Sequence, residues 1–411
     1  MSESIHPAPV LAAPSTSQTQ AALFLVGFVT FALLYATQPL LPTFARQFQI
    51  SAADSALALS LSTSALALTI FWGAVRTPRM DRRRLMLTAL SLAAVLNVLA
   101  ASSQTWTQLL WCRTLMGLCL GAVPATAMAY VADAVPSEKI AGAMGLYVAG
   151  TAMGGMSGRV GIGVSAEVVS WPVALTVVSA LSLMAIMLIA RVLPSQPPAP
   201  TLAHAATAPS TGAAWVGWGT WRALLSHPRL PRLFLCGGLA SGLFVAAYNY
   251  ASFHLQAPPF ALPATQVGLI FACYLAGVVS SGVSGRFTAR WGQYPAAMGM
   301  AGVTAVGLAL GLVPSLAVFV PGLAVMTFGF FALHAMCSGW VGREAGALKS
   351  QATALYLLSY YVGGSLLGYL GGWLWEHGGW PALTAGLLAA LGTIAWQLWQ
   401  LRQLAEAPQR A

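Results

Sequence analysis

The sequence predicts an all-α integral membrane protein of twelve transmembrane helices, arranged as two six-helix pseudo-repeats. Three observations lead there. Of the 411 residues 58% are hydrophobic and 7% charged; the apolar residues gather in twelve long runs; and the basic residues cluster in alternate gaps between those runs. A helix needs roughly 20 apolar residues to cross hydrocarbon, because lipid offers no partner for an unpaired backbone amide or carbonyl. The runs fall at 21–42, 56–75, 86–103, 107–131, 140–164, 172–191, 232–253, 265–284, 295–313, 315–338, 350–372 and 381–400. They divide the chain into a tail at 1–20, a six-helix bundle at 21–191, a linker at 192–231, a second bundle at 232–400 and a tail at 401–411.

The tail Met1–Gln20 has no Lys or Arg and no small-residue cleavage site, so the first helix is expected to act as its own uncleaved insertion signal. Gaps on the N-terminal side of the membrane hold sixteen basic residues, from Arg76 to Arg410, and the opposite gaps hold Arg46 alone. Cytoplasmic loops retain Lys and Arg, so both termini are expected in the cytoplasm. With the arginines at the inner face, the net charge of +10 implies no nucleic acid. The linker is rich in Pro, Ala, Ser and Thr from Pro194 to Ser210. It then carries Trp215, Trp218, Trp221, Arg222 and Arg229, the composition of a short amphipathic helix at the interface.

The halves are related. At a shift of 209 residues Leu146-Tyr147 meets Leu355-Tyr356, Gly154-Gly155 meets Gly363-Gly364, and Gly163 meets Gly372. Glu167 meets Glu376, and Trp171-Pro172 meets Trp380-Pro381. Each half therefore repeats a glycine-bearing helix followed by an acid and a Trp-Pro helix start. Parallel six-helix repeats are an architecture of secondary transporters, with the site between the halves.

Arg113 lies inside the fourth run. A guanidinium there costs roughly 2.5–3.5 kcal/mol on insertion scales, so it needs a partner or a wet cavity; snorkelling to the headgroups is the alternative. The cavity between the halves is the expectation. In the fifth run Gly150, Gly154 and Gly158 share one face, which should press against a neighbouring helix at the seam of the halves. Gly155 lies about 100° round. Arg159 either anchors that helix at the interface or serves the cavity.

These features resemble the major facilitator superfamily over essentially the whole chain. Arg113-x-x-x-Gly117 is similar to its fourth-helix arginine motif, which implies proton transfer. The fifth-helix run resembles the antiporter motif of its drug-exporting members, with Gly155 where Gly-Pro is usual, and Asp133-x-x-Pro136-x-x-Lys139 resembles the fourth-to-fifth loop. Ala36-Thr37-Gln38-Pro39-Leu40-Leu41-Pro42 and the fifth-helix Gly-Gly-Met-Ser-Gly-Arg string resemble the acriflavine-sensitivity, YnfM-like (arabinose-efflux-permease-like) branch. The resemblance implies the major facilitator fold and export of a small organic solute, a drug-like amphiphile or sugar, by proton-coupled antiport. It places the chain in the bacterial inner membrane, with the bilayer, a small-molecule substrate and a proton as partners. A monomer without cofactor or metal is expected, and not an enzyme.

Two departures stand out. The gate loop after the second helix runs from Gly73 to Arg84, with Thr77 where the family has Asp and the acid displaced to Asp81, followed by Arg82 and Arg83. Its second-half copy runs Gly285 to Gly292 through Arg290, with Ala289 in the Asp position. In addition, no carboxylate lies deep in any run, although a proton-coupled exporter of cations would want one. The cavity candidates are Gln38, Tyr147, Tyr248, Asn249, Tyr274, Tyr356 and Tyr360, in helices that usually line the site. Two other readings are weaker. One is uptake of a metal ion or small metabolite; the other is an intramembrane serine protease built on Gly155-Met156-Ser157-Gly158, a string that composition alone explains in a chain with 41 glycines. The five cysteines have no C-x-x-C spacing, and contiguous His334-Ala335-Met336-Cys337 would point to different faces of a helix.

Overall fold

A computed structural model describes residues 16–75, 81–135, 139–193 and 218–406. All regular structure among them is helical. The first crossing is broken: α1 (Thr16–Tyr35) passes through a 3-10 turn at Gln38–Leu40 into α2 (Leu41–Phe48), where Pro39 and Pro42 withhold two amide donors. A short α3 (Ala52–Ser55) leads into α4 (Leu57–Val75), and Ser51 caps it by accepting from the Asp54 amide at 2.9 Å. There follow α5 (Arg82–Ala101), α6 (Trp106–Ala134, with a Thr105/Gln108 capping box), α7 (Ile140–Val169) and α8 (Trp171–Val192).

The second half opens with α9 (Trp218–Ser226), too short to cross, and α10 (Leu230–Gln256). The eighth crossing joins α11 (Ala264–Ile270) through a 3-10 turn to α12 (Tyr274–Trp291), and α13 (Gln293–Leu310) and α14 (Leu316–Glu344) follow. The last continuous helix, α15 (Lys349–Glu406), turns back at Gly379, whose φ of +62° glycine adopts without strain. It therefore contains two crossings. Nine described segments are long and apolar enough to span a membrane, the last being Gly346–Glu406 with its two crossings. The helices α7 and α13 complete the twelve; the first is diluted by its glycines, Arg159 and Glu167.

An even number of crossings returns the chain to the side it started from, so Thr16 and Glu406 share one face, the termini face. Each half has its own apolar core. In α9, Trp218 is 82% exposed, whereas Trp221 is buried with its ring 4.9 Å from Phe71 of α4. Trp215 and most of the linker lie outside the described residues.

Candidate substrate site and rim

The break in the first crossing leaves the last carbonyls of α1 without helical partners. Arg113, 0% exposed, supplies donors: Nη2 to Leu34 O at 2.5 Å, Nη1 to Leu33 O at 3.2 Å and Nε to Ala58 O at 3.1 Å. A cation at a helix C-terminus also complements the helix dipole. All these carbonyls belong to the first half. Arg113 is thus a clamp between α1, α4 and α6 and does not face the space between the halves, contrary to the sequence-based expectation, which could not foresee that the neighbouring helix would free its carbonyls.

The glycine stripe of α7 is displaced from its expected partner in the same way. A Cβ at Gly150 would strike the carbonyl of Phe24, at Gly154 that of Phe28, and at Gly158 that of Ala32. The three glycines let α7 and α1 touch backbone to backbone inside the first half, and the seam is not involved. Their repeat partner behaves alike: Gly363 of α15 meets the carbonyl of Gly238 on α10. Gly155 faces another way, toward Tyr35 and Arg159.

The seam is built around Arg159. It is 2% exposed, too deep for an anchor at the headgroups. Nε donates to Gln38 Oε1 at 2.5 Å and Nη1 to Gly155 O at 2.7 Å. Its guanidinium carbon sits 3.7 Å from the ring centre of Tyr35 and 4.3 Å from that of Tyr274, a cation held between π faces from opposite halves. Gln38 passes the contact on, its Nε2 donating to Asn249 Oδ1 at 2.8 Å. Since Arg159 can only donate, both amide orientations follow, and Asn249 Nδ2 ends the chain without a partner.

Above this layer, on the face opposite the termini, the repeat builds the same contact twice. Glu167 at the end of α7 accepts from the Thr265 amide at 2.9 Å, in the first turn of α11; Glu376 of α15 accepts from the Ala53 amide at 2.9 Å, in the first turn of α3. Beside each acid stands a glycine in close approach, Gly163 against Gly268 and Gly372 against Ala53. Arg46 Nη1 donates to Gln256 Oε1 at 3.1 Å. Nearer the middle, Ser365 ties α15 to α4 through Ser60 O at 2.8 Å, Thr63 Oγ1 at 3.0 Å and Ser64 Oγ at 2.8 Å.

Toward the termini the pattern ends. Arginines there make contacts inside their own half, among them Arg82 to Ala129 O at 2.8 Å, Arg83 to Ala190 O, Arg229 to Glu344 at 3.1 Å, Arg232 to Gln397 at 2.9 Å and Arg343 to Gln293 at 2.5 Å. Gly145 stands about five turns from Gly163 on the same face of α7, yet a Cβ there would meet nothing within 4 Å, and the same holds for Gly282 and Gly285 on α12. The two helices touch at one end and diverge at the other.

The gate-loop acid Asp81 caps α5, accepting from Arg83 N at 2.9 Å with Arg84 Nε 3.8 Å away, and does not reach the other half. A Cβ at Gly73 would meet nothing within 4 Å; Arg290 is exposed, and Gly292 turns the chain with φ +82°. Residues 76–80 and 136–138 and the side chain of Asp133 lie outside the described residues. Of the cavity candidates, the structure brings Gln38, Asn249 and Tyr274 together around Arg159. Tyr248 bonds Thr327 at 2.8 Å and Tyr356 bonds His334 Nδ1 at 2.9 Å within the second half. Tyr147 is buried in the first-half core with an unpartnered hydroxyl, and Tyr360 packs on His334 with ring centres 4.6 Å apart. Tyr35, one residue before the Ala36–Pro42 string, went unread. So did the rim role of Glu167 and Glu376, although both acids and their glycines had surfaced as matches in the internal repeat.

A profile of the Major Facilitator Superfamily matches residues 23–366. The chain belongs to this superfamily. It is 35% identical to the inner membrane transport protein YnfM of Escherichia coli (strain K12) over 373 residues, 90% of this chain and 87% of that protein. It is 32% identical to an uncharacterized transporter of Buchnera aphidicola subsp. Schizaphis graminum over 376 residues, 91% and 89% of the two chains. It is a YnfM-like multi-pass membrane transporter. Among solved structures, the nucleoside transporter NupG superposes with a TM-score of 0.74 at 16% identity, covering 94% of this chain and 99% of that one. A bacterial homolog of the human lysosomal transporter Spinster, described as inward-facing and unoccupied, superposes with a TM-score of 0.70 at 14% identity, covering 94% and 95%. At those identities the likeness concerns the fold alone.

Proposed function

We propose that the chain is a secondary active transporter that exports a small organic solute across the bacterial inner membrane by alternating access, with both termini cytoplasmic and the described state open toward the cytoplasm. The observation that carries this reading is the asymmetry of the seam. Its opposite-face end is closed by two pseudo-symmetric glycine and carboxylate contacts, while toward the termini a Cβ at Gly145 of α7 or at Gly282 or Gly285 of α12 would meet nothing within 4 Å. Rocking one half against the other about the Arg159 layer exchanges the open and closed ends. The sixteen-to-one distribution of basic residues puts the open end inside.

Export and proton coupling rest on the resemblance of the first- and fifth-helix strings to drug-exporting members. Coupling would have to work without a deep carboxylate: Asp54, Asp81, Glu167, Glu344, Glu376 and Glu406 all sit at helix ends or turns. Inside-out vesicles test both points. Export appears there as uptake, and proton antiport requires an acidic interior; uptake indifferent to the gradient and to a protonophore would remove the proton from the scheme.

A further inference from the structure

Resting on the transporter reading, we propose that the cargo is an organic anion with a flat apolar body, and that Arg159 is the group that holds its charge. A guanidinium 2% exposed at the middle of a membrane protein normally has a carboxylate partner, because a buried charge is otherwise costly. Among the described residues the ion pairs are Arg84 with Asp81, Arg229 with Glu344 and Arg402 with Glu406; Arg159 is in none of them. Gln38 and Gly155 account for two of its five N–H groups. Its other neighbours are the π faces of Tyr35 and Tyr274.

The same layer holds further buried polar groups left over: Asn249 Nδ2, a donor only, and the hydroxyls of Tyr274 and Thr37. A layer with surplus donors and no negative charge suits an acceptor-rich anion, and a planar carboxylate or sulfonate fits a guanidinium edge in two-point fashion. Tyr35, Tyr274 and, beside them, Phe271 and Tyr248 provide rings for an apolar body. The location matters as much as the chemistry. Arg159, Tyr35 and Gln38 come from one half, Tyr274 and Asn249 from the other, so an anion bound here neutralises a buried charge at which the two halves meet. Anionic cargo also accounts for the lack of a deep acid. A cation exporter needs a membrane carboxylate to trade against, whereas an anion leaving a cell with a negative interior is driven outward by the membrane potential itself.

The test uses the full chain in proteoliposomes with four labelled probes: benzenesulfonate and hippurate as aromatic anions, tetraphenylphosphonium as a lipophilic cation and glucose as a neutral solute. Saturable uptake of at least one anion, accelerated by a positive interior, is expected. Arg159→Gln should raise its KM at least tenfold, and Arg159→Lys should fall between. If Arg159→Gln does not assemble, Tyr274→Leu removes one ring face, keeps the charge, and should raise the KM for the anion. Movement of glucose or tetraphenylphosphonium with both anions inert would overturn the anion assignment and leave the transporter reading standing; movement of none of the four would count against both. An Arg159→Gln protein that slows anion uptake with KM unchanged would make Arg159 a latch between the halves and refute its role in binding.

Discussion

Replacing Gly163 with alanine should open the closed end of the seam. The new Cβ would fall on Gly268 Cα and lie 3.3 Å from its nitrogen, backbone atoms that cannot swing aside as a side chain would. An added methyl in a filled contact costs about 1–3 kcal/mol. Because Gly163 and Gly268 touch only while that end is shut, the cost falls on one of the two states and becomes a shift in their ratio of about 5- to 150-fold. Gly154→Ala is the control: it introduces an equally tight contact, with Phe28, but within the first half, where it is present in both states and lowers stability without changing the ratio. Spin labels at Gln104 and Pro314, exposed on the opposite face in the two halves, report the separation by double electron–electron resonance. Gly163→Ala should enlarge the long-distance population and Gly154→Ala should leave it alone. Identical distributions for Gly163→Ala and the parent, or an equal shift from Gly154→Ala, would refute the assignment of Gly163 to the seam.

Arg113→Ala strips the side-chain donors from the two carbonyls at the end of α1, Leu33 O and Leu34 O, each worth about 1–3 kcal/mol when left unpaired, so thermal unfolding in detergent should show a drop in melting temperature, and Arg113→Lys a smaller one. An unchanged melting temperature would contradict the clamp. Glu167→Ala and Glu376→Ala each remove a helix-end acceptor at about 0.5–2 kcal/mol; both should shift the spin-label distances toward opening, and the double variant should be near additive in free energy because the two contacts share no residue. Asn249→Asp places a carboxylate in the Gln38–Arg159 network. It should raise thermal stability while reducing anion uptake, and unchanged uptake would argue against competition for the Arg159 charge.

The twelve crossings and the kinship of the halves were legible because lipid makes backbone satisfaction a local property: apolar run length decides crossing, and loop arginines alternate with it. Roles inside the bundle were less so. Arg113 and Arg159 look alike in sequence, each a lone cation in an apolar run. One meets the last-turn carbonyls of α1 on a different helix, the other two tyrosine rings from opposite halves, and helical spacing contains neither partner. The face shared by Gly150, Gly154 and Gly158 was readable, its partner helix was not, since periodicity orients a face without saying which of several neighbours it meets. The rim acids Glu167 and Glu376 carried a usable signal, identity under the 209-residue shift, whose meaning required knowing that α11 and α3 begin beside them.

The claim at the centre of this account is that the Arg159 layer is reached from one side of the membrane at a time, and from the cytoplasm in the described state. Cysteine in place of Tyr360, in a background lacking Cys112, Cys119, Cys236, Cys273 and Cys337, stands on α15 where that side chain packs against the apolar cores of both halves. Its rate of modification by a membrane-impermeant thiol reagent should be high in inside-out vesicles and low in right-side-out vesicles, and Gly163→Ala should raise the latter at the expense of the former. Equal rates from both sides would describe a channel, and modification from the outer side alone in the parent would invert the orientation assigned to the open end.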